Sequence, residues 1–453
     1  MSQRRIAVIG AGITGLTAAY RLQTQGHVVE VFEASDRVGG SIRSIDMGEA
    51  RVDVGPSGIL ATRQSVVRLV DDLGLSDQWL EACSDSNRRY IYYQGKLNEV
   101  PSSPPGLLLS PWIPLSAKWH ILTEMFKGSR TPPPSESLHA LIARRFGDFV
   151  ADVMVDAMVS GVHAAPAKSL EAKAAFPILP QFESTHGSIL RGLIHTMKQR
   201  KRELPQRAFA LKGMLNLRGG LEALPLALQQ SLETLHLNTP VHSLTKTADD
   251  QWQVKSSVGD RLYTDVVVAI SAPQASKCLR ETSSELATLL SEVCYTPLGN
   301  VIFYYDSPIE TPHGFGYLSP GIEGRPMLGC LFLNRIFPDL VPSSCTVLRA
   351  FVGGQRAPQD LELDDAALTE LATKELEAVL QASLPPPTST KVLRWKQSLP
   401  FYNEGTTQRW EAIETLVRNL PGLHLGGNWL YGASVADCVS RGDQIAEQIA
   451  RVS

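Results

Sequence analysis

Ile6, Ala7, Val8 and Ile9 form an apolar run too short for a helix and closed by a glycine, a pattern that predicts a buried strand. Gly10-Ala11-Gly12-Ile13-Thr14-Gly15 then opens a segment whose Leu16, Ala18, Ala19 and Leu22 suit a helix. After Gly26, the residues from His27 to Phe32 read as a second strand that ends at Glu33. Two later runs, Leu235 to Val241 and Val266 to Pro273, read as strands returning to the same unit. From Leu298 to Val352 short apolar runs alternate with turn residues, around Val301–Tyr305, Met327–Phe332 and Thr346–Val352, which predicts a second sheet. Helices are expected through Leu138 to Val159 and near Ser188 to Met197, and a surface turn at Pro385-Pro386-Pro387. Near the end, Leu423-His424-Leu425 enters a glycine turn, and Ser434-Val435-Ala436-Asp437 begins a helix running towards Arg451.

With 453 residues the chain exceeds the size at which one core stops growing, so at least two domains are expected. Apolar residues at 43% and charged residues at 20% match ordinary globular usage. A formal charge of -3 gives no reason to expect a nucleic-acid partner. The six cysteines are scattered without metal-type spacing and read as reduced thiols, so no metal is expected. No cleaved secretion signal precedes Ile6 and no apolar run reaches spanning length, which points to a cytoplasmic location, with peripheral attachment to a membrane left open.

Strand, glycine turn, helix and a terminal acid together predict a dinucleotide site. Gly10 permits the tight turn, Gly12 removes a Cβ so that backbone can approach a pyrophosphate, and Gly15 lets helix and strand pack closely. The phosphates would sit on the helix N-terminus, while Glu33 accepts a ribose hydroxyl. Arg37-Val38-Gly39-Gly40-Ser41-Ile42-Arg43 resembles the second glycine motif of the FAD-dependent amine-oxidase-like superfamily, with Arg37 or Arg43 as cations for the phosphates. A solvated loop is the alternative. That resemblance implies FAD, noncovalent and one per chain, held by Gly10, Ala11, Gly12, Ile13, Thr14, Gly15, Glu33, Ala34, Arg37, Gly40 and Ser41. It extends the set to Gly55, Pro56, Ser57 and Gly58, to Val241 near the adenine, and to Ala433, Ser434 and Val435 at a helix aimed at the isoalloxazine. Asp437 reads equally as a cap of that helix.

Between residues 101 and 134 lies a proline-rich stretch with Leu107-Leu108-Leu109, Trp112, Leu115, Trp119, Leu122, Met125 and Phe126, flanked by Lys118 and Lys127. This mixture suits a membrane interface, and core packing or a lid on a pocket suits it as well. Lys198, Arg200, Lys201, Arg202 and Arg207 read as a solvated basic loop or as a surface for anionic lipid.

Several dispersed segments resemble the protoporphyrinogen oxidase family: Gly39 to Ser44, Val54 to Ile59, Arg89 to Tyr92, Glu136 to His139, Gly161 to Ala164, Ser184 to Leu190, Leu217 to Glu222, Gly314 to Leu318 and Ala436 to Cys438. The resemblance implies an α/β fold of three parts. A Rossmann-like FAD-binding domain is assembled from residues 1–80, 206–275 and 412–453, an α-helical membrane-associating domain from 81–205, and a substrate domain with a mixed β-sheet from 276–411. It implies an enzyme that removes six electrons from protoporphyrinogen IX, with O2 as acceptor and H2O2 as product. The flavin carries that chemistry, with no catalytic side chain beyond it. Arg89 would pair with a propionate or make a surface ion pair, Phe315, Leu318 and Phe351 would wall the macrocycle or pack in the core, and Gly161 would leave room for substrate or serve as a plain turn glycine. The expected partners are the porphyrinogen, O2, a membrane surface, the next haem-pathway enzyme and a second copy of the chain. Coproporphyrinogen III stays open as the substrate, as do an amine-oxidase reading and a non-catalytic tetrapyrrole-binding flavoprotein. Against the amine oxidase, Phe303 stands where a flavin-facing lysine belongs, and no cysteine lies between Tyr402 and Trp410 to bind FAD covalently. Many relatives carry a histidine in the segment that here reads Pro400 to Thr407, which has none.

Overall fold

The computed structural model describes residues 3–60, 63–129, 133, 135–203 and 213–452. Arg207 lies outside them. Five parallel strands from distant parts of the chain form one sheet, in the order Leu235–His236, Val28–Phe32, Arg5–Ile9, Asp265–Val268, Leu423–Leu425. Strand alternation divides the apolar side chains between two cores. Ile6, Val8, Val31 and Val267 face the helices Ile13–Thr24 and Val435–Val452, while Ala7, Ile9, Val266 and Val268 join Trp252 and Tyr263 on the other side. Both faces are thus covered, which is why these strands read as continuous apolar runs. The expected strand from Leu235 to Val241 is shorter: it ends at His236, Asn238 takes a positive φ, and Val241 opens a separate antiparallel sheet.

The second sheet has seven strands, ordered Ser389–Pro400, Tyr295–Tyr305, Thr346–Gly353, Met327–Phe332, Gly316–Leu318, Tyr90–Tyr93, Lys96–Glu99. It is mixed, because Gly316–Leu318 runs parallel to Tyr90–Tyr93 and every other pair is antiparallel. Residues 90–99, expected in the helical part, therefore belong to this sheet. One face, with Val301, Phe303, Leu348, Ala350 and Val352, packs on Leu368, Ala372, Leu376 and Val379 of the helix Asp365–Leu380. The other face, with Ile302, Tyr304 and Val347, packs on Met47, Val52, Val54 and Ile336.

Helices fill most of residues 104–203. The one predicted through Leu138 to Val159 is divided at Gly147 (φ +86), and resumes as a π-helical turn over Val150–Val155 before the helix Asp156–His163. Behind these helices lies a buried charge network. Glu124, with no exposed surface, accepts from Arg145 Nε (2.8 Å), Ser188 Oγ (2.5 Å) and the backbone N–H groups of Ile189 (3.0 Å) and Leu190 (3.2 Å). It thereby caps the N-terminus of the helix Ile189–Glu203. Arg144 joins Glu136 and Glu183 at 2.5 Å each. On the outer side Leu109, Leu115, Trp119, Leu122 and Phe126 are exposed, and Leu108, Leu115, Trp119 and Leu122 with Lys118 line a groove of about 600 Å³. Among the described residues no helix is long and apolar enough to cross a membrane.

Candidate flavin and substrate site

The strands Arg5–Ile9, Val28–Phe32, Asp265–Val268 and Leu423–Leu425 all end on the same side of the parallel sheet, and Gly10, Glu33, Ala269 and Gly426 follow them there. Open parallel sheets bind ligands outside these carboxyl ends. Gly10 has φ +100, and a Cβ on Gly15 would overlap the Gly10 carbonyl oxygen, so the fold itself requires both glycines. Gly12 differs. Its φ of -69 is open to any residue, and among the described residues, its chain neighbours apart, nothing lies within 4 Å of its Cβ position. Its bareness leaves space in front of the Ile13–Thr24 helix, whose N-terminus has no side-chain cap. A pyrophosphate fits that space before the helix N-terminus.

Glu33 stands at the rim, accepting from the Ala11 N–H (2.7 Å) and from the N–H and Oγ of Ser35 (2.9 and 2.7 Å). Backbone bonds from Thr239 N to Glu33 O and Asn238 N to Ser35 O bring the segment leading into Val241 alongside Glu33, Ala34 and Ser35. The second glycine loop joins through Gly39 N to Ala11 O, at 2.8 Å. Arg37 does not present a free cation there: its guanidinium folds back onto the carbonyls of Val38, Gly40 and Ile42. It shapes the loop that carries Gly40 and Ser41. A Cβ on Gly55 would overlap the Ser41 carbonyl, so the Gly55-Pro56-Ser57-Gly58 segment lies directly against that loop. The helix Val435–Val452 crosses Ile13–Thr24 closely, since a Cβ on Gly442 would lie 2.7 Å from Thr17 Cβ. Ser434 caps it and Asp437 closes the box: Ser434 Oγ accepts from the Asp437 N–H (3.1 Å), and Asp437 Oδ2 accepts from Ser434 Oγ (2.5 Å) and the Ser434 N–H (3.3 Å). Ala433, Ser434 and Val435 sit at this terminus.

Opposite lies the inner face of the seven-stranded sheet. Leu318, Gly329, Phe351 and Asn300 form one row across four strands. Gly329 lets the strands approach, because a Cβ there would lie 2.3 Å from the Tyr317 carbonyl oxygen and 3.0 Å from Leu318 Cδ2. Gly161 abuts this row, because a Cβ there would lie 2.7 Å from Leu318 Cδ2. Phe315 and Arg89 form a separate pair before the Gly316–Leu318 strand, the guanidinium 5.3 Å from the ring centre. Arg89 is exposed and has no carboxylate partner among the described residues, whereas its neighbour Arg88 is paired with Glu99 at 2.7 Å. Phe303 is buried on the sheet's outer face, against the Asp365–Leu380 helix.

Two features of this region escaped the sequence reading. Arg349 is buried between the sheet and the Asp53–Ser57 segment, donating to the carbonyls of Asp53 (2.8 Å) and Val54 (2.6 Å) and to Ser57 Oγ (2.8 Å). Burial pushes this guanidinium down to about 10, against the opposing pull of Asp53. Asn300 Nδ2 also donates to Val54 O, at 3.3 Å. Polar residues at alternate positions in two apolar strands were the available signal. The second feature is His163, whose ring centre is 5.5 Å from that of Tyr402 and 5.6 Å from that of Phe176. A histidine thus reaches the histidine-free Pro400-Phe401-Tyr402 segment from another element. Burial lowers it to about 4, so it is neutral near pH 7.

The chain belongs to the flavin containing amine oxidoreductase family, which matches residues 13–450, and it is an FAD-dependent oxidoreductase. Within that class it is similar to the mitochondrial protoporphyrinogen oxidase of Nicotiana tabacum, with 31% identity over 99% of this chain and 95% of that protein. The protoporphyrinogen oxidases of Bos taurus (31%) and Homo sapiens (30%) each align over 98% of both chains. A crystal structure from Exiguobacterium sp. 255-15 shares the fold over the whole of both chains, with TM-score 0.83 and 22% identity. A putrescine oxidase structure does so with TM-score 0.75 and 18% identity, covering 100% of this chain and 99% of that one.

Proposed function

We propose that the chain oxidises protoporphyrinogen IX to protoporphyrin IX, with O2 as acceptor and H2O2 as product. The observation that carries this reading is the full-length similarity at about 30% to protoporphyrinogen oxidases from plants and mammals. The site agrees with it in chemistry. A broad apolar macrocycle needs aliphatic and aromatic walls, which Leu318 and Phe351 supply, and few cations; Arg89, set apart with Phe315, has no carboxylate partner among the described residues. Bound FAD would supply the two-electron acceptor for each of three rounds of oxidation, with dioxygen as the terminal acceptor. The rest falls to the protein. Gly12 and the open helix terminus hold the pyrophosphate, Glu33 the ribose, and the Gly40-Ser41 and Gly55–Gly58 loops the remainder of the noncovalent cofactor. Gly161 leaves room at Leu318, and Arg89 anchors a propionate far from the reacting carbon.

The parallel sheet with its helices forms the FAD-binding unit, residues 104–203 a helical unit, and the seven-stranded sheet, including residues 90–99, the substrate unit. The exposed apolar groups of the helical unit support peripheral attachment to the cytoplasmic face of a membrane, where the next haem-pathway enzyme can receive the product. Lys118 can face lipid head groups there, while Lys127 is engaged with the carbonyls of Arg144 and Arg145. The test compares aerobic oxidation of protoporphyrinogen IX and coproporphyrinogen III by purified enzyme, followed by porphyrin fluorescence. Faster oxidation of protoporphyrinogen is expected, because two further carboxylates would enter apolar surroundings unpaired. Faster oxidation of coproporphyrinogen reverses the substrate assignment, and oxidation of neither overturns the reading.

A further inference from the structure

Arg349 directs its hydrogen bonds to one short segment, while its guanidinium carbon lies 4.9 Å from the centre of the Phe351 ring. Its side chain is enclosed, its Nη atoms serve the carbonyls of Asp53 and Val54 and the Oγ of Ser57, and its Nε has no hydrogen-bond partner among the described residues. The acidic group acting on it, Asp53, is itself engaged by Ser44 Oγ (2.6 Å), Asn216 Nδ2 (2.7 Å) and the Leu221 N–H (3.0 Å). A guanidinium buried against neutral acceptors costs stability that an apolar residue on this strand would not. What the fold gains is definition of the segment from Asp53 to Ser57. Val54 O receives two donors, from Arg349 and Asn300. Ser57 is held by its own hydroxyl. A hydroxyl offers one O–H donor and two acceptor lone pairs. Since Ser57 Oγ accepts from Arg349, its proton points away from the guanidinium, and Ser57 is only half buried.

We propose that Arg349 is a positioning residue that fixes Ser57 as a hydrogen-bond donor towards bound flavin. Resting on the assignment of the Gly55–Gly58 loop to the cofactor, this adds a residue from the substrate sheet that sets how readily the flavin is reduced. A fixed donor, backed by a buried cation, stabilises the electron-rich reduced form.

The experiment measures the two-electron midpoint potential of holoenzyme, with FAD content determined first. Ser57→Ala is expected to lower the reduction equilibrium about tenfold, which for two electrons is about 30 mV. Ser57→Thr, which keeps the hydroxyl, is expected to stay within threefold of the parent. In an Arg349→Met background the same Ser57→Ala change should have less than a threefold effect, because the hydroxyl no longer has a fixed direction. Should Arg349→Met fail to fold, the Ala and Thr variants at position 57 decide the matter, and Arg349→Lys replaces Met in the cycle. A potential unchanged in Ser57→Ala, or an undiminished Ser57→Ala effect without Arg349, overturns the proposal. Failure of the substrate assignment looks different: porphyrinogen is not turned over, yet the potentials move as expected.

Discussion

Gly161→Ala separates a pocket role from a folding role at one position. The new Cβ would lie 2.7 Å from Leu318 Cδ2 and 3.1 Å from Cδ1, so the leucine side chain must move. Gly161 is exposed in the helix Asp156–His163, where alanine gains about 0.5–1 kcal/mol over glycine. Displacing Leu318 from its rotamer costs about 0.5–1.5 kcal/mol, so the two effects nearly cancel in stability. Thermal unfolding should therefore shift by less than about 3 °C. In the occupied pocket the leucine has no room to retreat, and forcing one methyl into packed surroundings costs about 1–3 kcal/mol. That corresponds to roughly one to two decades in affinity. The assay is steady-state porphyrin fluorescence, expected to give a higher KM with FAD content unchanged. Adding Leu318→Ala should restore much of the loss, because it removes the atoms that the new methyl meets. If Gly161→Ala retains parental KM and kcat while remaining folded and flavinated, the Gly161–Leu318 contact lies outside the pocket.

Gly12→Val should fold, since its φ and surroundings admit a side chain, yet purify without FAD; a normal visible flavin spectrum would show that the pyrophosphate lies elsewhere. Arg89→Ala removes an unpaired guanidinium whose charged hydrogen bond contributes about 1.5–3 kcal/mol. KM should rise by roughly one to two decades while kcat falls less, as steady-state kinetics will report. His163 adds a pH dependence of definite sign. Its pKa is lowered from 6.5 to about 4, so below pH 6.5 the unfolded chain binds the proton first and stability falls as pH drops towards 4. The full effect is about 3 kcal/mol. His163→Phe should flatten this part of the unfolding-temperature profile between pH 7 and pH 4.5, and an unchanged slope would assign it to other groups.

The parts of the site that were legible in the sequence are those that backbone geometry dictates. Gly10 and Gly15 announce a turn and a close packing that side chains would obstruct, and Glu33 ends a strand where the fold needs an acceptor. The parts that were not legible depend on which surface covers a strand. Leu348-Arg349-Ala350 reads locally as an alternation with arginine facing water, but the Asp53–Ser57 segment, almost three hundred residues away in the chain, covers that face. The same limitation hid the place of residues 90–99, whose parallel partner Gly316–Leu318 leaves no trace in local periodicity. For Arg37 the residue type was visible and its use was not, because carbonyls of its own loop compete for the guanidinium.

The charge network behind the apolar helices has a mechanical consequence. The turns that leave Leu115, Trp119 and Phe126 in water cannot draw rigidity from those side chains, yet Glu124, Arg145, Glu183 and Arg144 brace them from the rear. Because Glu124, Arg145 and Glu183 are enclosed, salt in the medium screens the brace far less than it would a surface pair. The greasy surface consequently keeps its contour in free solution. Whatever it meets finds a stamp already cut, and contact proceeds without first having to order the backbone beneath it.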